Sequence, residues 1–144
     1  WLDTTKIIIP TDFVLADSID STETSISSNI EASQAGFDIG PETIETFGKI
    51  IDSSNTILWN GPMGVFEKEQ FATGTQSIGE LVANAKAYSV VGGGDSVSAI
   101  RQMKLESTID HVSTGGGATL EYIEQGTLVG IKALQDSIIH RSQK

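Results

Sequence analysis

Apolar and polar positions along this chain follow two periods in turn. Short, mainly apolar runs fall at residues 7–9, 13–16, 56–59, 88–91 and 111–113, and read as strands. The first two are either separate strands or one strand interrupted by Pro10 and Thr11. Between the runs, apolar residues recur at helical spacing. Pro41 opens one such stretch, with Ile44, Phe47, Ile50 and Ile51 on one face. Phe71, Ile78, Leu81, Val82 and Ala85 line a second, and a third runs from about Asp95 to Met103. Two more follow the last strand, one with Leu120 and Ile123, the other with Leu128, Ile131 and Leu134. Residues 17–29 are rich in serine, threonine and acids, and predict an exposed excursion with short edge strands. Residues 135–144 are expected to form a flexible tail, frayed over its last four residues.

Strands alternating with helices predict an α/β fold, with a mainly parallel sheet and helices on both faces. Ligands of such sheets bind beyond the carboxyl ends of the strands. Four segments there carry turn chemistry: residues 36–41, 60–64, 92–95 and 114–117. If all four strands are parallel, these loops share one edge, which is the candidate site.

Two of the loops are glycine triplets. YSVVGGGDSVSAI spans residues 88–100, and HVSTGGGATLE spans residues 111–121; together they take six of the 15 glycines. Glycines at a strand end let the backbone turn sharply and approach a ligand closely. The helix that follows aims free N–H groups and the positive end of its dipole at that ligand. This chemistry suits a polyanion held by backbone. Neither triplet is a P-loop, because no lysine follows, and no G-x-G-x-x-G dinucleotide fingerprint is present.

Composition narrows the reading. The chain has 144 residues, enough for one domain with a real core, and at 38% hydrophobic and 19% charged it is not a disordered composition. It has no cysteine, so disulfides and Cys-based zinc sites are excluded, which fits a cytosolic setting. No apolar run approaches the roughly 18 residues of a membrane span. The net charge of −10, without a basic stripe, argues against nucleic acid as a partner. Helix N-termini bind phosphate without lysine, so acidity does not exclude a phosphate ligand. The chain opens on Trp1-Leu2-Asp3 and runs almost at once into an apolar segment, which reads as a piece of a longer protein.

Individual residues carry two readings each. Asp95 follows the first triplet, where a carboxylate either caps the helix or holds Mg²⁺ beside a phosphate. Ser96 either caps the same helix or donates to a phosphate oxygen. In LWNGPMGVFE, residues 58–67, Pro62 and two glycines fix a loop, and Asn60 presents an amide at a strand end. Glu67 either accepts hydrogen bonds from ribose hydroxyls or is a helix first-turn acid. Met63, Val65 and Phe66 pack on a purine or belong to the core. His111 and Ser113 share a strand face but are not placed as base and nucleophile; a hydrogen-bonded structural histidine is expected.

Five segments in order carry a resemblance. LWNGPMGVFE strongly resembles the signature of phosphoglycerate kinase, and VVGGGD (residues 90–95) and HVSTGGGA (111–118) resemble that family's two glycine loops. PTDFVLAD (10–17) and GFDIGP (36–41) match in order and spacing, so the similarity runs to about Leu134. The resemblance implies a three-layer α/β/α Rossmann-like domain with a mainly parallel sheet, left incomplete. It makes residues 1–144 the C-terminal portion of the nucleotide-binding domain. The implied reaction moves a phosphoryl group between 1,3-bisphosphoglycerate and Mg²⁺-bound ADP, giving 3-phosphoglycerate and ATP in a cytoplasmic, monomeric enzyme.

By motif position, Gly36, Pro62 and Val65 line the adenine pocket, Glu67 holds the ribose, and Asn60 lies near the nucleotide phosphates. Gly92, Gly93, Gly94 and Ser96 meet those phosphates, and Asp95 binds the metal. Gly115, Gly116 and Gly117 face the transferring phosphoryl group, with Gly94 on its nucleotide side. Ser96 stands where threonine is usual, and Val129 where proline is common. The phosphoglycerate-binding half, the lysines and the transition-state arginine of the family have no counterpart here, so the piece alone is expected to be inactive. A non-catalytic nucleotide- or partner-binding module is the alternative; a dinucleotide oxidoreductase is disfavoured by the missing fingerprint.

Overall fold

The structure, a computed structural model, describes residues 6–142. Two three-stranded sheets carry the fold. In the first, β1 (Phe13–Ala16) lies between β2 (Ser25–Ser27) and β3 (Ala35–Ile39), and both pairings are antiparallel. In the second, β4 (Thr56–Asn60), β5 (Tyr88–Gly92) and β6 (His111–Ser113) run parallel in that order. Helix α1 (Pro41–Ser53) links the sheets, while α2 (Thr73–Asn84) and α3 (Gly94–Gln102) make the crossovers between parallel strands. Helices α4 (Gly116–Gln125) and α5 (Val129–Ser142) follow. The parallel sheet with its helices is the incomplete α/β domain that the pattern predicts.

The core lies on one face of the parallel sheet. Register aligns Trp59, Val91 and Val112 across the three strands. Trp59 and Val91 pack with Ile78 and Val82 of α2 and Val97 and Ile100 of α3, and Ile44, Phe47 and Ile51 of α1 close over them. The helical periodicity of α1 therefore places three of the four expected apolar residues on the core, while Ile50 is exposed. On the opposite sheet face, Leu58 and Tyr88 are 41% and 55% exposed. No residue of α4 is buried, and Leu120, Tyr122 and Ile123 remain in contact with solvent.

Three expectations change. Residues 7–9 are not a strand; among the described residues no strand lies beside them, and Ile7, Ile8 and Ile9 are exposed. An apolar run without a ladder partner has nothing to satisfy its backbone as a strand. Residues 36–41, expected as a turn, form most of β3 and the start of α1, because pairing with β1 overrides the two glycines. Three of the four expected loops thus end parallel strands, and the fourth belongs to the antiparallel sheet. The tail expected over residues 135–144 is helical as far as Ser142, and Gln143 and Lys144 lie outside the described residues.

Helix α1 begins on Gly40, which offers no side-chain cap. Asp12, 4% exposed, caps it from outside. Its carboxylate accepts the N–H of Glu42 at 3.0 Å, the N–H of Thr43 at 2.8 Å and the Thr43 hydroxyl at 2.6 Å. Gly40 must be glycine, since a Cβ there would fall 2.2 Å from Asp12 Oδ2. Burial alone pushes the Asp12 carboxyl up, but the hydrogen bonds from Thr43 and Glu42 outweigh it and hold it below its ordinary range.

Candidate functional site

Parallel register sets the site. Asn60, Gly92 and Ser113 stand side by side at the carboxyl ends of β4, β5 and β6. Just beyond Gly92, Gly93 caps α3 with φ 96°. A Cβ on Gly93 would come 2.5 Å from Asn60 Oδ1, so sterics and backbone both demand glycine there. Gly94 is different: a Cβ on it meets nothing within 4 Å, and the same holds for Gly117. Packing does not explain these two glycines, and each leaves open space at the start of its helix.

Gly93, not Asp95, caps α3. Asp95 sits exposed in the first turn, and its carboxylate has no hydrogen-bond or ion-pair partner among the described residues. Ser96 is fully buried, and its Oγ accepts the Gly61 N–H at 2.6 Å. It fastens the loop after β4 to the start of α3.

The second triplet closes against the first. Gly115 precedes α4, and Gly116 has φ 42°. A Cβ on Gly116 would lie 3.9 Å from the Gly93 Cα, and one on Gly92 would lie 3.9 Å from Thr119 Cγ2. The hydroxyls of Ser113 and Thr119 share a 2.6 Å hydrogen bond, and the Gly115 N–H donates to Ser113 Oγ at 3.3 Å. Ser113 is therefore committed to its own loop. His111 is exposed rather than a hydrogen-bonded core histidine, because β6 is an edge strand and its open face is uncovered.

Besides Ser96, three further anchors hold the loop after β4. Trp59 Nε1 donates to the Gly61 carbonyl at 2.7 Å. Thr75 Oγ1, in the first turn of α2, accepts the N–H groups of Met63 and Gly64 at 3.0 and 3.2 Å. The Val65 N–H donates to the Phe37 carbonyl of β3 at 2.9 Å. This last bond lays the loop beside the antiparallel sheet and encloses a cleft of about 340 Å³ lined by Gly36, Phe37, Asp38, Pro62, Met63 and Val65. Gly36, Pro62 and Val65 thus meet in one cleft, although Gly36 arrives from the other sheet. Met63 also packs against the main core, and Phe66 is buried in a smaller cluster with Ala72 and Ala99. Glu67 lies exposed in the turn that follows, ahead of any helical turn.

Asp38 lies under this cleft and was not found from sequence. It is 3% exposed and accepts the Gly74 N–H at 2.6 Å and the Ile39 N–H at 2.9 Å. A Cβ on Gly64 or Gly74 would fall 2.3 or 2.2 Å from its Oδ1. Burial raises the Asp38 carboxyl above its ordinary range, and the two amide hydrogen bonds only partly oppose that. The sequence held one trace of it: a glycine at position 74, inside a helix, that no turn explains.

The sequence model described as phosphoglycerate kinase matches residues 2–126. The chain belongs to the phosphoglycerate kinase family. It is 44% identical over 134 residues to the phosphoglycerate kinase of Herpetosiphon aurantiacus, covering 91% of this chain and 34% of that protein. With the Salinispora arenicola enzyme it shares 48% over 135 residues, again 91% of this chain and 34% of the relative. The chain therefore spans about a third of the length of these relatives. Among solved structures, the Coxiella burnetii phosphoglycerate kinase superposes with a TM-score of 0.78 at 38% identity, covering 82% of this chain and 31% of that one. The Pyrococcus horikoshii enzyme gives 0.77 at 34% identity, with 92% and 33% covered. Among the described residues, no helix is long and apolar enough to cross a membrane.

Proposed function

We propose that this chain is the C-terminal portion of the nucleotide-binding domain of a phosphoglycerate kinase. The whole enzyme moves a phosphoryl group reversibly from 1,3-bisphosphoglycerate to ADP, giving 3-phosphoglycerate and ATP. One observation carries the reading: the two glycine loops lie side by side at the ends of adjacent parallel strands, so near that a Cβ added to Gly116 would reach the Gly93 Cα. Two helix N-termini, α3 and α4, thereby start from one place, each with free backbone N–H donors.

Roles follow position. Gly36, Pro62 and Val65 line the cleft for the base, and Glu67 accepts from the ribose. Asn60, Gly92, Gly93 and Gly94 line the nucleotide phosphates, with Ser96 fixing their loop from beneath. Gly115, Gly116 and Gly117 meet the phosphoryl group in transfer, with Gly94 opposite. The group passes between a carboxylate oxygen and a phosphate oxygen, both competent acceptors, so no side chain must act as general base. The protein's part is positioning and charge stabilisation.

Mg²⁺ fits this donor set. Among the described residues no cluster of three or more histidines or carboxylates forms a metal cage. Mg²⁺ takes one or two protein carboxylates and completes its shell with phosphates and water, and Asp95 offers one unengaged carboxylate at the right helix end. When bound, the metal supplies charge neutralisation at the phosphate oxygens.

Phosphoglycerate is bound by the part of the longer protein outside this chain, and the basic residues of the site belong there, in a monomeric cytoplasmic enzyme. The isolated chain is expected to bind Mg-ADP weakly and to show no turnover with both substrates. NMR titration tests the assignment. Asp95→Ala is expected to weaken Mg-ADP binding roughly tenfold, the loss of one charge-assisted contact of about 1.4 kcal/mol. Unchanged affinity in that variant, or measurable turnover by the isolated chain, overturns these two assignments respectively.

A further inference from the structure

We propose that Thr75 is a positioning residue for the base cleft, setting the gap between its two lips without touching the ligand. The inference rests on the reading of that cleft as the base site. One lip is β3, which carries Gly36; the other is the loop with Pro62 and Val65. Among the described residues one backbone hydrogen bond joins the lips directly, from Val65 to Phe37, with Gly64 packed beside it. The first turn of α2 grips both lips from beneath. On one side the Gly74 N–H donates to Asp38 of β3. On the other, the adjacent Thr75 places its Oγ1 under the loop and accepts from Met63 and Gly64 together.

Thr75 is 1% exposed, so its hydroxyl is spent inside the protein and is not available to a ligand. Two consecutive amides aimed at one oxygen fix the direction of the peptide planes that precede Val65. Neighbouring packing leaves little alternative placement: a Cβ on Gly64 would meet both Asp38 Oδ1 and the Phe37 carbonyl. Of the anchors on this loop, the α2 turn is the one that also holds the opposite lip through Asp38, so cleft width depends on α2.

The test compares Thr75→Val, which keeps shape and removes the acceptor, with Thr75→Ser, which keeps the acceptor. Adenosine and Mg-pyrophosphate are titrated separately into the 144-residue chain by NMR. The expected result is adenosine binding weakened roughly tenfold in Thr75→Val and within about twofold of wild type in Thr75→Ser, one buried hydrogen-bond pair being the difference. Mg-pyrophosphate binding stays unchanged in both. Equal loss for both ligands, or no loss for adenosine, overturns the proposal. Wild-type chain that binds Mg-pyrophosphate but not adenosine overturns the base-cleft reading itself. Amide exchange in the wild type covers the case of a Thr75→Val chain that does not fold. Met63 and Gly64 must be protected in the free protein and slowed further by adenosine but not by Mg-pyrophosphate; solvent-like exchange at both overturns the proposal.

Discussion

Helices α1 and α2 both begin on residues with no capping side chain, Gly40 and Ala72, and each takes a buried carboxylate from the antiparallel sheet or its edge. Asp12 serves α1 and Asp38 serves α2, at nearly the same depth of burial. Their acidities nonetheless move in opposite directions. The difference is the balance of donors against desolvation. Asp12 collects two helix amides and a hydroxyl; Asp38 collects one helix amide and the amide of its own neighbour. Burial penalises both charges, and only the better-supplied carboxylate recovers the cost. The Asp12 end of the sheet is a structural anchor, while the Asp38 end lies against the cleft.

Asp12→Ala tests the anchor most severely. It strands the Glu42 and Thr43 amides and removes the cap, an expected loss of roughly 3 kcal/mol of stability. Chemical denaturation with an unchanged m-value checks this; a loss below about 1 kcal/mol breaks the contrast between the two carboxylates.

Acid titration sharpens the contrast. The Asp12 pKa is lowered on folding, so its contribution is full above the ordinary carboxylate value of 3.8 and is lost as pH falls through the lowered one. Asp38 has the reverse sign. Its contribution is full below 3.8 and is lost as pH rises through its raised pKa. The deficit of Asp12→Ala relative to wild type is therefore expected to shrink on acidification below about pH 4. That of Asp38→Asn is expected to shrink on going from pH 4 upward. Denaturation midpoints at several pH values read both trends, and parallel trends in the two variants contradict the assignment.

Local pattern carried much of the fold. The strands β4 and β5 end in asparagine and glycine, β6 leads within two residues into a glycine triplet, and Pro41 announces α1, so the parallel edge and both glycine loops were legible. Gly36, Pro62 and Val65 were legible as one group only through the family motif, since the bond that gathers them joins Val65 to Phe37 across two sheets. What escaped was long-range polar support. Asp12 and Asp38 act on amides 31 and 36 residues away, and a carboxylate's partner at that separation leaves no period in the sequence. The strand β3 escaped for a related reason: Gly36 lies against the Phe13 side chain of β1, and Gly40, just past the strand, makes room for the Asp12 carboxylate rather than for a turn.

The uncovered sheet face has a colloidal consequence. Leu58 and Tyr88 lie on it, and β4 is an edge of the parallel sheet among the described residues. Strand edges beside apolar surface are adhesive between copies. A net charge of −10 opposes that contact through mutual repulsion, which salt screens and acid removes. Near the isoelectric point of about 4.4 the repulsion vanishes while the sticky face remains. Solubility of this chain is thus governed by its acidity, with a minimum where its charges cancel, and light scattering across that pH traces it.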